Sequence, residues 1–171
     1  MTQSLLDFLT EQHVDSDGIQ QAARLYLAER TDDLTKREMR QQLDQATGDA
    51  RLIDTLMKKL EQDSAAVENG ALVLLSWAWE EPGERERVIR AIEQAKAKLP
   101  VIEVTLIVIA TMYGMYLIAT GGKKKVTTWV KRREDGKLEE SRETIEYAGF
   151  PEVISAMVKL FNKVPSKGDK S

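Results

Sequence analysis

Chemistry requires reactive groups to be brought together, and this chain has few to bring. His13 is its only histidine, and it has no cysteine. The composition therefore excludes a multi-histidine metal site, a histidine pair, a thiolate zinc site and a thiol nucleophile. Asp15-Ser16-Asp17-Gly18 has the opening pattern of a calcium loop, but Tyr26 stands where the closing bidentate carboxylate belongs. Glu80-Glu81 are adjacent acids, and neighbours on a helix do not face a common point, so they are expected to be solvated. Gly121-Gly122-Lys123 falls short of a phosphate-binding loop, because Leu117 and Lys124 occupy the places of its first glycine and its Ser/Thr. What remains is a set of cations: Lys123, Lys124 and Lys125, then Lys131, Arg132 and Arg133. They are the candidate contacts for an anionic lipid surface or an acidic protein partner. The expectation is a non-enzymatic protein with no cofactor and no metal.

The elements that would position these cations begin with a long apolar segment. From Val104 to Gly122 there is no charged residue, and the lysine run follows at once. A helix of that length rises about 28 Å, close to the roughly 30 Å of a bilayer's hydrocarbon core. Two readings follow. As a membrane span, the segment would place the lysines at a cytoplasmic headgroup layer. As a core helix, it would be surrounded by the rest of the chain, with Val101–Ile109 as a β-branched strand that could lead into it. Thr105, Thr111 and Thr120 dilute the run, and Tyr113 and Tyr116 lie inside it rather than at its edges, which favours the core. Met1-Thr2-Gln3-Ser4 opens no signal peptide, since neither a basic region nor an apolar one follows.

Upstream, the periodicity predicts short amphipathic helices. Ile19, Ala22, Ala23, Tyr26 and Leu27 share a face, with Asp15, Ser16 and Asp17 as caps. Thr35 and Glu38 have capping-box spacing ahead of Met39, Leu43 and Ala46. Ile53, Leu56, Met57 and Leu60 form the next stripe after Gly48-Asp49. Asp63 or Ser64 can cap a helix through Ala71–Trp79 that has almost no polar side, as a central helix should. Trp77 and Trp79 are expected to be core anchors. Pro82-Gly83 ends that helix, and Val88, Ile89, Ile92 and Ala95 drive one more.

Downstream, Val126–Glu134 and Lys137–Tyr147 flank Asp135-Gly136, a strong hairpin signal. A two-residue turn would set Glu134 opposite Lys137, Arg132 opposite Glu139, Lys131 opposite Glu140, and Lys125 opposite Glu146. Those carboxylates would absorb much of the basic field. Val126, Val130 and Ile145 would share one face, with Trp129 on the other opposite Arg142. A closing helix is expected after Pro151, with Val153, Ile154, Met157, Val158, Leu160 and Phe161 on its buried side. The fold class is thus α+β: a helical bundle, the apolar segment as core or membrane helix, a β-hairpin and a C-terminal helix. The corresponding regions are an acidic bundle at 1–98, the apolar segment with hairpin and closing helix at 99–163, and a disordered tail at 164–171.

Composition, with 31% charged and 42% apolar residues, is that of a globular protein. Residues 1–98 carry 13 basic and 19 acidic groups and residues 99–171 carry 12 and 9, so the front half is acidic. That balance argues against nucleic acid as a partner. Lack of cysteine fits a cytoplasmic setting; the membrane alternative would leave the C-terminal part cytoplasmic.

The order of features from Ala71 to about residue 163 resembles a known family. Leu75-Ser76-Trp77 and Glu80-Glu81-Pro82-Gly83-Glu84-Arg85 come first, then an apolar run containing Ala110 and Gly114. A basic junction, the charged Asp-Gly hairpin and a segment after Phe150-Pro151 follow. This order is similar to that of the effector-associated constant component proteins of prokaryotic conflict systems. The resemblance implies a small non-enzymatic protein encoded beside a peptidase-type effector of the trypsin or caspase-like classes. Residues 1–70 depart from the pattern and would be an added adaptor module. The expected function is an adaptor or regulatory component of antiviral defence that acts through protein–protein contacts. The alternative is a membrane-anchored or membrane-perturbing effector using 104–122.

Overall fold

The computed structural model of the chain describes residues 3–97, 103–120, 125–126, 129–133, 135–141 and 145–146. Six helices precede the apolar segment: α1 (Leu5–Glu11), α2 (Ser16–Arg30), α3 (Lys36–Thr47), α4 (Ala50–Glu61), α5 (Ser64–Glu80) and α6 (Arg85–Ala97). Their starts are set by side-chain caps on otherwise unpaired amides. Ser4, Asp15, Asp49 and Asp63 each accept from a backbone N–H of the first turn. Thr35 and Glu38 form the reciprocal capping box that their spacing predicts. Gly48, at φ +66°, ends α3 in the left-handed region. The first helix had no counterpart in the sequence reading, although Leu5, Phe8 and Leu9 give it a buried face at helical spacing.

Every residue of α5 from Ala66 to Trp79 is buried. Such a helix must be covered on all sides, and α2, α4, α6 and the hairpin strand β2 (Trp129–Arg132) all pack on it. The apolar segment completes the enclosure as α7 (Val104–Thr120). This helix packs against α2, α3, α4 and α5, with Ile107–Tyr113 buried. It is therefore a core helix, as the interior threonines and tyrosines favoured. Over Val104–Ile109 it is helical and not a strand, because helical spacing gives this β-branched run apolar neighbours all round. Its 17 residues rise about 25 Å, and no helix among the described residues is long and apolar enough to cross a membrane. α5 and α7 come close at Gly114, where an added Cβ would lie 2.7 Å from Leu74 Cδ2. Buried residues of α7 and Val130 of β2 thus belong to the same core cluster as those of α1 to α6.

The hairpin forms, with a corrected register. β1 (Lys125–Val126) pairs with β4 (Ile145–Glu146), placing Lys125 opposite Glu146 as expected. Nearer the tip, β2 pairs with β3 (Leu138–Ser141), placing Lys131 opposite Glu139 and Arg132 opposite Leu138. The expected partners, Glu140 and Glu139, are each one residue away. The cause lies in the turn. Arg133 N–H donates to Lys137 O at 2.7 Å and Gly136 N–H to Arg133 O at 3.0 Å, which closes a three-residue loop at 134–136. A two-residue Asp-Gly turn needs positive φ at both residues, and only Gly136, at φ +87°, has it. Two residues separate Val126 from Trp129 and three separate Ser141 from Ile145, so the two ladders are one residue out of step. The closing helix after Pro151, the tail at 164–171 and Arg142 lie outside the described residues.

A charge placed in this core should be intolerable. Ile109 is 1% exposed, and Ile109→Lys is expected to abolish cooperative unfolding, because a buried unpaired charge costs several kcal/mol against a total stability of about 5–15 kcal/mol. Removing the α3 cap with Thr35→Ala is expected to cost only about 1 kcal/mol. Near-UV circular dichroism and thermal melts check both, and a wild-type melt for Ile109→Lys would contradict the placement of α7.

Candidate functional site

Among the described residues, two places are notable for combining polar groups with a shaped apolar surface. The first is the seat of the hairpin on α5. Glu68 is the only ionisable residue of α5 before Glu80, and it is 3% exposed. Arg132 reaches it across the junction: Nε donates to Oε1 at 2.8 Å and to Oε2 at 3.1 Å, and an Nη donates to Oε2 at 2.9 Å. A forked guanidinium–carboxylate contact of this kind fixes orientation as well as charge. Two turns along the same helix face, Ser76 Oγ accepts the Val130 N–H at 2.9 Å and donates to Leu72 O at 2.6 Å. In the antiparallel ladder, the Arg133–Lys137 bond makes Val130 and Arg132 non-hydrogen-bonded positions, so their N–H groups point away from β3. Ser76 takes the otherwise unpaired edge donor of Val130, a buried residue.

This seat redistributes the cations singled out from sequence. Arg132 is turned to Glu68. On the opposite face, Lys131 pairs with Glu139 at 3.6 Å, and Arg133 lies 3.3 Å from Asp135 and 3.8 Å from Glu139. Alternation along the strand, with period two, separates neighbours that looked like one basic cluster. Lys125 lies in β1, and Lys123 and Lys124 lie outside the described residues.

The second place is a cleft of about 260 Å³ where the end of α2, the start of α3 and the first turns of α7 meet. Leu27, Leu34, Met39, Leu106 and Ala110 supply its apolar surface, and Arg24, Asp33 and Lys36 its charges. Its rim is built by the way α2 stops. Thr31 Oγ1 bonds back to Leu27 O at 2.8 Å, Asp33 N–H donates to Ala28 O at 2.8 Å, and the chain reverses through Asp32 and Asp33. Both residues hold positive φ, 54° and 62°, a conformation that aspartate tolerates better than most residues but that still carries strain. Arg24 donates to Gln21 Oε1 at 2.9 Å and has no carboxylate partner among the described residues. Lys36 pairs with Glu103.

Other residues weighed from sequence have structural roles. His13, at φ 53°, is exposed just past the end of α1, where a left-handed residue closes the helix. Asp15 Oδ1 accepts the Gly18 N–H at 2.7 Å as a cap. Trp77 and Trp79 are buried, with Arg30 lying 5.1 Å over the first ring and Arg85 4.7 Å over the second. Arg30 also pairs with Glu84 at 2.9 Å, and Glu84 accepts the Tyr26 hydroxyl at 2.9 Å. Burial, then the bond to Glu84, pushes the Tyr26 phenol well above its ordinary range. Among the described residues no group of three acidic or histidine side chains is placed to hold a metal ion. Glu68 and the cleft were missed by sequence reasoning. A lone acid inside an apolar helical run was the available signal for the first, whereas the cleft joins residues remote in the chain and has no local signature.

Comparison with known proteins gives no match: no family model, curated protein or solved structure aligns significantly with the chain.

Two measurements follow. Arg132→Met is expected to destabilise the protein by at least about 2 kcal/mol, because it leaves a buried carboxylate unpaired, whereas Lys131→Met and Arg133→Met break exposed pairs worth about 0–1 kcal/mol each. Equal effects of the three in denaturant titrations would refute the distinction. Because the folded Tyr26 pKa is raised, its contribution to stability is full below the ordinary tyrosine value of about 10 and is lost as pH rises toward the folded value. Tyr26→Phe should therefore flatten the fall in stability above that pH, and parallel pH profiles would count against the assignment.

Proposed function

We propose that the chain is a non-enzymatic adaptor or regulatory component that captures a partner protein through the cleft between α2, α3 and α7. The observation that carries this reading is the cleft itself: an apolar floor, a rim bearing both signs of charge, and a strained turn beside it. Its volume of about 260 Å³ is below the range of about 300–1,000 Å³ typical of cofactor and drug-sized sites. It suits a single large side chain, the anchor residue of a protein contact. Asp33 on the rim disfavours a phosphate or an anionic headgroup, while Arg24 offers a partner carboxylate a guanidinium that, among the described residues, is bound only to Gln21. The occupant that fits is an exposed apolar side chain of another protein with an acidic neighbour. The resemblance to conflict-system components makes a peptidase-type effector the partner to try first. Burial of Ile107–Tyr113 among four helices supports this reading over a membrane-acting one.

The test is co-purification of the full chain with the effector encoded beside its gene. Leu34→Glu and Arg24→Glu, both at partly exposed cleft positions, are expected to reduce capture at least about tenfold, in line with anchor residues worth 2 kcal/mol or more. Lys96→Glu, remote from the cleft, is expected to leave capture unchanged. Capture that is indifferent to the cleft substitutions would remove the reading, and firm binding to anionic vesicles in its place would favour the membrane-acting alternative.

A further inference from the structure

We propose that the cleft reads the charge order of its occupant: a short extended segment of the partner whose apolar anchor stands between an acidic and a basic residue. This rests on the reading of the cleft as a protein-capture site and names the kind of sequence it would capture. One wall of the cleft is a single face of α2, because Arg24, Leu27, Ala28 and Thr31 follow the i, i+3, i+4, i+7 spacing. That face is polarised along its length. Arg24 stands at one end, two turns before Thr31, and Asp33 lies just past the other. The backbone fixes the aspartate there, since Asp33 N–H donates to Ala28 O at 2.8 Å. The cation is drawn the opposite way, because Arg24 Nε donates to Gln21 Oε1 at 2.9 Å, one turn toward the start of α2. Leu27 and Ala28 fill the interval between the two charges.

Lys36 also lines the cleft, but its ammonium pairs with Glu103 just ahead of α7, which compensates its field. Asp33, with exposed Asp32 beside it, therefore leaves its end of the wall anionic. Two turns of helix amount to about 10 Å at roughly 1.5 Å per residue. An extended segment advances about 3.3 Å per residue, so it covers that distance in about three residues. A partner segment matches when its acid meets Arg24, its base meets Asp33, and an apolar side chain between them enters the cleft. Two acids or two bases around the same anchor would bring a like charge to one end. Exposed ion pairs are weak, so the anchor supplies most of the affinity and the flanking charges supply selectivity.

The experiment is selection of a displayed library of short random peptides on the full chain, with Leu34→Glu as the control surface. Peptides enriched by the wild type and not by Leu34→Glu are expected to carry opposite charges on the two sides of an apolar residue. Relative to the unselected library, that arrangement should exceed like charges at least about fivefold. Arg24→Gln is expected to lose the preference for the acid and keep that for the base. Asp33→Asn, a residue type that also tolerates the left-handed backbone there, is expected to do the converse. In about 1 M salt, where the Debye length is about 3 Å, both charge preferences should fade while the apolar anchor persists. Enrichment of an apolar residue without opposite flanks overturns the charge-order inference and leaves the capture reading standing, and so do flanks that ignore both substitutions. No enrichment over Leu34→Glu removes the capture reading and this inference with it.

Discussion

The constraint on which the structure depends is the absence of a polar side on α5. A helix buried from Ala66 to Trp79 cannot rest on one neighbour, so the chain must supply cover in several directions. α2 and α6 provide it from the N-terminal half, and α7 provides it from the other half of the sequence. Gly114 allows α7 to approach closely enough for Leu74 to occupy the space of a missing side chain. Once α5 and α7 are in contact, α3 and α4 pack on α7, each with only two or three fully buried residues. The peripheral helices depend on the central pair, and the reverse is less true.

Against that apolar centre, several buried or partly buried polar groups make directed contacts. Ser76 satisfies an edge donor of β2, Glu68 receives Arg132, and Glu84 joins Tyr26 to Arg30. Each of these contacts links an element to one distant in sequence, and each is directional where dispersion is not. Apolar burial makes the core form, and the polar contacts decide which edge of the hairpin sits where. The cleft arises from the same geometry. α2 must stop and reverse before α3 can lie on α7, and the left-handed Asp32-Asp33 turn that accomplishes this leaves a gap between three helix ends.

Element type was legible in the sequence wherever one face or one turn settles it. The stripes of α2, α3, α4 and α6, the Thr35–Glu38 box and the all-apolar α5 each depend on neighbours within a few residues, and each formed as read. The short α1 carries the same kind of signal in Leu5, Phe8 and Leu9, over less than two full turns. The apolar run through α7 has a composition that suits either bilayer or core. Burial against four helices, a fact about the rest of the chain, resolves its middle as core.

What the tertiary structure alone decided concerns register and convergence. Asp135-Gly136 determined that a hairpin forms, but the loop length depends on whether Asp135 also adopts positive φ, and a one-residue change there exchanges the two faces of a strand. Leu138 thereby replaced Glu139 opposite Arg132, and Arg132, on the Val130 side of β2 by strand alternation, pairs with Glu68 instead. The cleft unites residues between Arg24 and Ala110, and no local pattern marks them because none of their backbone geometry depends on the others. Local propensity and periodicity are written in neighbouring residues, so the sequence by itself determined the helices, their caps and the presence of the hairpin. Which charge meets which, and where a surface becomes concave, depends on how finished elements stack in three dimensions, and only the tertiary structure decided that.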